Sequence, residues 1–533
     1  MTKPNKPTKQ TFIKGAMILL AAGVINRILG FVPRIALPRV IGAEGVGIYQ
    51  LSYPFLGVLL TLITGGIPLA VAKWIAEADS KGEGHRVKQI FRTAMLLTIA
   101  LALAMTALML LGAEWITTRV LTDSRVYRPF VMMAPMLLII GVSSVYRGYF
   151  QGKQNMIPTA QSQVVETVLR IAGQLLLAFL LLPYGLEWAA AGAMMGTVIG
   201  EIAGLLILFW HAARDKGKSA AAVPAPPAGA PPFSQDFKNE DRVPVLKKLL
   251  RLSIPVTGSR LVGSLSYLLE SILTARSLAA AGIATGAATA QYGALQGMII
   301  PLLLLPTALT YSLSVSLIPS LSAAAARGDM ASIHKRLHQS LRLALVSGAP
   351  FVVVMGLLAE PLCRLMYNHG EIAPLLALLA PAGIFIYLQG PLQAALQALD
   401  KPGTALFNTT VGACVKLYLI VELASRPELG IYGAVIAIVV NIILVTALHG
   451  ISVMRCAGYR MKLPDFIKVG SAMIIMGACC RWLMSRGPLP AEWLNLIVSC
   501  AAGAAVYLFL MGAMGIVDRH DLSRIPGIGR WFG

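Results

Sequence analysis

Apolar residues run along this chain in stretches of about twenty, the length that carries an α-helix across a hydrocarbon core, with short polar segments between them. About fourteen such stretches follow one another, which predicts an all-α polytopic membrane protein. The first runs over 12-37, the fifth over 157-182, the sixth over 187-211, the seventh over 246-275, the eleventh over 403-424 and the last over 491-516. Lysine and arginine gather in alternate loops: Lys73 to Arg92, Arg147 to Lys153, Arg214 to Arg251, Arg327 to Arg342 and Arg455 to Lys468. Basic loops stay on the cytoplasmic side, so a multi-pass cell-membrane protein with both termini cytoplasmic is expected. Lys3, Lys6, Lys9 and Lys14 lead into a long helix rather than a short apolar core with a cleavage site, so no cleaved leader is expected.

Between His211 and Pro244 the pattern changes to Ala, Pro, Ser and charge, with Pro224, Pro226, Pro227, Pro231 and Pro232. Such a segment reads as a semi-rigid solvated tether. The chain on its two sides repeats the same landmarks in the same order. Asn26-Arg27-Ile28-Leu29-Gly30 is echoed by Ser259-Arg260-Leu261-Val262-Gly263, and Ile67-Pro68 by Ile318-Pro319. Pro158-Thr159-Ala160 with Arg170 is echoed by Pro402-Gly403-Thr404-Ala405 with Lys416, and Gly192-Ala193 by Gly433-Ala434. Four matches in one order predict two six-helix lobes in parallel pseudo-two-fold repeat plus two C-terminal helices. The expected domains are a lobe over 1-211, a cytoplasmic linker over 212-244, a second lobe over 245-454, and two further helices with a tail over 455-533.

Charges inside the apolar stretches mark candidate function. A membrane-centred arginine costs roughly 2.5 to 3.5 kcal/mol on insertion scales, so it faces a wet cavity, a partner charge or an anionic ligand. Arg27 and Arg34 are about two turns apart and share a helix face, and Arg260 repeats Arg27 in the second half. The stripe predicts a cationic cavity between the lobes, with Arg27 and Arg260 facing across it. Snorkelling to the interface is the competing reading, and it suits Arg39 best. Glu166 and Arg170 stand four apart in the acid-before-base order, either as a self-neutralised pair or as substrate contacts. Glu270 and Lys416 are single intramembrane charges of the same kind, while Glu201, near a helix end, is expected to snorkel.

Composition narrows the class. A chain of 533 residues, 56% hydrophobic and 13% charged, is not a soluble globular protein. Its formal charge of +21 lies in short patches between apolar segments, without a basic domain interleaved with aromatics. The excess reads as topology and anionic-lipid contact, not nucleic-acid binding. The six cysteines show no CxxC spacing, so buried free thiols are expected, and neither a metal site nor a cofactor is.

Several stretches carry a resemblance: Lys9-Gln10-Thr11-Phe12-Ile13-Lys14-Gly15, then Arg147-Gly148-Tyr149-Phe150-Gln151-Gly152-Lys153-Gln154-Asn155-Met156-Ile157-Pro158, then Gln389-Gly390-Pro391-Leu392-Gln393, and the tail from Asp521 to Arg530. From end to end, the proline-rich linker excepted, the chain resembles the stage V sporulation protein B family. That family lies in the polysaccharide-biosynthesis branch of the multidrug/oligosaccharidyl-lipid/polysaccharide flippase superfamily. The resemblance implies outward flipping of an undecaprenyl-pyrophosphate-linked peptidoglycan precursor, similar to lipid II, for the spore cortex of an endospore former. It also implies a transporter rather than an enzyme, with the cortex-synthesis machinery as a possible partner. Lipid II flippases of the superfamily carry Arg-x-Leu-Gly-Phe-x-Arg in the first helix. Arg27-Ile28-Leu29-Gly30-Phe31 is similar, and Arg34 follows one residue late, after Pro33. Some relatives hold sodium with aspartates in the seventh and eleventh helices. Those spans here offer Glu270 and Glu422 with Asn408, Thr409 and Thr410, so sodium coupling is not implied.

Three other readings compete. A membrane glycosyltransferase needs a carboxylate base and a sizeable outer loop or acidic metal motif, whereas the outer loops are short and no Asp-x-Asp occurs. A cation-coupled drug exporter on the same architecture predicts acidic and aromatic cavity walls rather than cationic ones. A scaffold for cortex synthesis leaves no distinguishing mark in the sequence.

Overall fold

The computed structural model describes residues 12–221, 242–459, 463–487 and 489–516. The centre of the Pro/Ala-rich segment and both chain ends, on which the tether and the terminal topology bear, lie outside the described residues. Among the described residues the chain is helical and contains no strand. Eleven stretches are long and apolar enough to cross a bilayer. The first, Met17–Ser80, holds 64 residues, more than one crossing needs, so the expected fourteen crossings are not separately resolved by length and apolarity.

The chain forms two compact units. The first runs from the N-terminus to Arg276 and adds Ala284–Gly293. Its helices are α1 (Phe12–Leu29), α2 (Phe31–Thr64), α3 (Ile67–Ser80), α4 (Gly84–Trp115), α5 (Tyr127–Met132), α6 (Ala134–Gly152), α7 (Ile157–Leu181), α8 (Leu186–Ala221), α9 (Arg242–Ala280, to Arg276) and α10 (Thr285–Gly293). The predicted first span breaks at Gly30, and α2 is interrupted at Gly42, whose φ of 68° only glycine adopts without strain. α9 carries Lys247, Lys248, Arg251, Arg260, Glu270 and Arg276, and it is not among the eleven apolar stretches. Ile67, Val71 and Ile75 of α3 pack with Ile90 and Ala94 of α4, Val145 of α6, and Val245 and Leu249 of α9. Gly148 and Gly152 let α6 lie close on α3, where a Cβ at Gly148 would come 2.7 Å from the Pro68 carbonyl oxygen. Small residues at a helix contact serve this purpose in membranes.

The second unit holds Ser277–Ile283 and Ala294–Gly533. Its helices are α11 (Ile300–Leu303), α12 (Thr307–Ala326), α13 (Met330–Leu357), α14 (Ala359–Tyr367), α15 (Ala373–Leu379), α16 (Gly383–Ala398), α17 (Pro402–Ala424), α18 (Ile431–Ala457), α19 (Leu463–Arg486) and α20 (Glu492–Ala513). Leu341, Ala344, Leu388, Leu392, Ala395, Met476, Cys480, Tyr507 and Met511 share one core, so the two last helices are packed into the unit. Where helices break, tyrosines satisfy the freed carbonyls. Thr307 N bonds to Leu304 O, and the Leu303 carbonyl takes the Tyr387 hydroxyl at 2.9 Å. All six cysteines are free thiols, but only Cys363 and Cys480 are buried, while Cys414 and Cys456 are exposed.

Candidate functional site

The site grows out of one helical hairpin. Pro158 sits in the first turn of α7, where a missing N–H costs nothing, and the chain turns back through Leu182–Tyr184 and Gly185 into α8. Gly192, Gly196, Gly200 and Gly204 then recur every fourth residue, forming one glycine face on α8. A Cβ at Gly196 would lie 2.1 Å from Gln174 N, and one at Gly200 would lie 2.5 Å from Arg170 Cβ. Backbone therefore meets backbone along α7 and α8.

That approach brings charges together out of water. Glu166 is buried, and both its oxygens accept guanidinium donors. Arg147 Nη2 on α6 donates to Oε2 at 2.7 Å, and Arg170 Nη1 donates to Oε1 at 3.4 Å. Glu201 on α8 is 7% exposed, with its carboxyl within hydrogen-bonding range of the Glu166 side chain. Its Oε2 and the Arg147 Nε have no hydrogen-bond partner among the described residues. Glu201 was expected to snorkel, but flanking glycines pull α8 onto α7 and enclose it. Nearer the hairpin turn, Gln174 Nε2 donates to the Tyr49 hydroxyl at 3.1 Å and to Thr197 Oγ1 at 2.8 Å.

Tyr53 connects this cluster to the arginine stripe. Its hydroxyl lies within electrostatic range of Arg170, Glu201, Glu166 and Arg34. The Arg34 guanidinium sits 5.8 Å from the Phe31 ring centroid, and Arg34 also acts on Tyr267, whose neighbour Glu270 is buried. Arg27 on α1 and Arg260 on α9 are exposed, and both belong to the first unit. Lys416, half-buried on α17, lies in the second unit. Of the residues singled out from sequence, Glu166 and Arg170 are joined directly. Arg147 was missed as a partner because it read as part of a basic loop; its place late in an apolar helix, a short turn before α7, was the available signal.

Two ion networks flank the site. Lys153 Nζ donates to Asp215 Oδ2 at 2.7 Å; burial works against its charge, but Asp215 and the Tyr149 hydroxyl hold the ammonium above its ordinary value. Asp123 accepts from Arg125 Nη2 at 2.8 Å and from Thr289 Oγ1 at 2.7 Å, and Arg125 Nη1 reaches Glu44 at 2.6 Å. Burial alone would raise the Asp123 carboxyl, yet Arg125 and Thr289 hold it below the usual carboxylate range. This network ties α2, the turn before α5, and α10 together.

A bundle of long apolar helices that buries a paired charge cluster is the architecture of a multi-pass membrane protein. Residues 12–325 match the family described as "Polysaccharide biosynthesis protein". The chain is 41% identical to stage V sporulation protein B of Bacillus subtilis (strain 168), over 98% of this chain and 99% of that one. It is 25% identical to the lipid II flippase MurJ of the same organism, over 97% and 98% of the two chains. A solved structure titled "Lipid II flippase MurJ, inward closed conformation" shares the fold, with a TM-score of 0.68, 16% identity, and coverage of 93% of this chain and 98% of that one. The chain belongs to the stage V sporulation protein B family.

Proposed function

We propose that this protein flips an undecaprenyl-pyrophosphate-linked peptidoglycan precursor, similar to lipid II, outward by alternating access during spore cortex synthesis. The observation that carries the reading is the 41% identity to stage V sporulation protein B over nearly the whole of both chains. The 25% identity to a lipid II flippase supports the substrate class. The chemistry agrees: a pyrophosphate needs forked donors in a path sheltered from lipid, and arginine supplies them bidentately. Arg27, Arg34 and Arg260 grip the pyrophosphate in this reading, and Arg170, Glu166, Glu270 and Lys416 line the same path. The polyprenyl tail stays in the bilayer and needs no pocket. The two repeated lobes, 1-211 and 245-454, move about the linker 212-244, both termini are cytoplasmic, and the cortex-synthesis machinery is the partner.

The test is movement of labelled lipid-linked precursor in proteoliposomes that contain only this protein. Arg27→Ala and Arg260→Ala lower flipping steeply while thermal stability in detergent stays near the parent value, and lysine at either position restores part of the rate. Normal flipping by both alanine variants ends the arginine reading. A single cysteine near Ser219, in a cysteine-free background, is shielded from an impermeant thiol reagent in intact cells, and one near Pro183 or Asn368 is labelled. The opposite pattern reverses the topology.

A further inference from the structure

Two carboxyl side chains hydrogen-bond to one another only when a proton lies between them. The Glu166 and Glu201 carboxyls come within hydrogen-bonding range of each other inside the first unit, at a helix contact so close that a Cβ at Gly204 would lie 3.4 Å from Glu166 Oε2. Glu166 is the anionic member, since Arg147 at 2.7 Å and Arg170 at 3.4 Å both donate to it. Glu201 is the proton carrier: it is 7% exposed, and its second oxygen has no partner among the described residues. The charged and titratable groups that act on it are Glu166 and Arg170 from α7, Arg147 from α6 and the Tyr53 hydroxyl from α2. A structural ion pair needs no further acid beside it, and burying one costs free energy. Arg147, which reaches Glu166 through Nη2, keeps its Nε as a spare donor among the described residues.

We propose that the Glu166–Glu201 pair is a proton-binding site that takes up and releases one proton in each transport cycle. Release breaks the Glu201 O–H bond and passes the proton to water, leaving a second carboxylate. The cluster then changes from two guanidinium charges against one carboxylate to two against two, from a net single positive charge to neutrality. Tyr53 lies within range of both the cluster and Arg34, so this change reaches the arginine stripe. The coupling, though not the proton site itself, rests on the flippase reading above.

The full-length protein in lipid shows, by infrared difference spectroscopy at neutral pH, the carbonyl stretch of a buried protonated carboxyl. The band is lost in Glu201→Gln. In Glu201→Asp, which keeps the acid one methylene shorter, it returns at a shifted position, and this second variant decides the matter if the glutamine protein fails to fold. A band unchanged in either variant overturns the proton site. In proteoliposomes carrying labelled lipid-linked precursor, a one-unit pH gradient shifts the wild-type lipid distribution about tenfold for a one-proton couple. The ratio of distributions with and without the gradient falls to one in Glu201→Gln, whatever the absolute rate. A wild-type protein that flips precursor indifferently to the gradient overturns the coupling. A wild-type protein that moves no precursor overturns the flippase reading, and the infrared band then decides the proton site by itself.

Discussion

The α7/α8 and α17/α18 hairpins carry the same landmarks, Pro158 with Gly192 and Pro402 with Gly433, yet they bury different chemistry. At the matching glycines the packing is alike: a Cβ at Gly192 would come 2.5 Å from the Leu177 carbonyl oxygen, and one at Gly433 2.4 Å from the Leu423 carbonyl carbon. Beyond them the helices part ways. Where α8 continues with Gly196, Gly200 and Gly204, α18 has Ala437, Asn441 and Val445 at the same spacing. Side chains fill that contact instead, with Gly412 of α17 making room for Val445. The first hairpin encloses Arg147, Glu166, Arg170 and Glu201. In the second, the neutral Asn408 Nδ2 meets His449 Nδ1 at 3.2 Å and donates to Ser452 Oγ at 2.9 Å. A charge excluded from water must be paired closely, and the glycine face of α8 keeps the two backbones in contact along the whole cluster. Neutral groups tolerate the looser packing, because a missed hydrogen bond costs less than a stranded ion.

The comparison breaks most sharply at Gly196. Replacing it with leucine forces α8 off α7 along the whole cluster, and folded protein recovered from the membrane in detergent should drop to a small fraction of the parent. Full recovery would mean that the backbone contact does not hold the charges. Next in size is Glu166→Ala, which strands Arg147 and Arg170 at a cost of about 3 to 5 kcal/mol, against about 1 to 3 kcal/mol for Asn408→Ala. Thermal unfolding in one detergent ranks the two, and equal losses would remove the distinction between the charged contact and the neutral one.

Acid gives a smaller effect, away from both hairpins. The Asp123 carboxyl titrates lower when folded than when unfolded, so its contribution is complete above the ordinary value of about 3.9 and fades as pH falls through the folded value. The stability gap between wild type and Asp123→Asn should therefore be constant from neutral pH down to that range and close below it. The smallest change is Gly450→Ala on α18, where a Cβ meets nothing within 4 Å. It should raise stability by no more than about 1 kcal/mol through helix propensity.

Long apolar stretches, the basic loops between them and the repeated landmarks made a multi-pass helical fold legible from the amino-acid sequence, because a bilayer leaves a backbone few other ways to satisfy its hydrogen bonds. The Glu166/Arg170 pair was legible for the same kind of reason: two residues four apart on one helix are neighbours whatever surrounds them. Arg147 and Glu201 were not, since each joins the cluster from a different helix and local spacing carries no record of that meeting. The glycine face of α8 was in plain view at every fourth position, but which helix it would receive is not written in α8. Only the packed hairpin decided that Glu201 faces Glu166 rather than the interface. Burial is a property of what lies opposite a side chain, and the tertiary fold alone supplies the opposite wall.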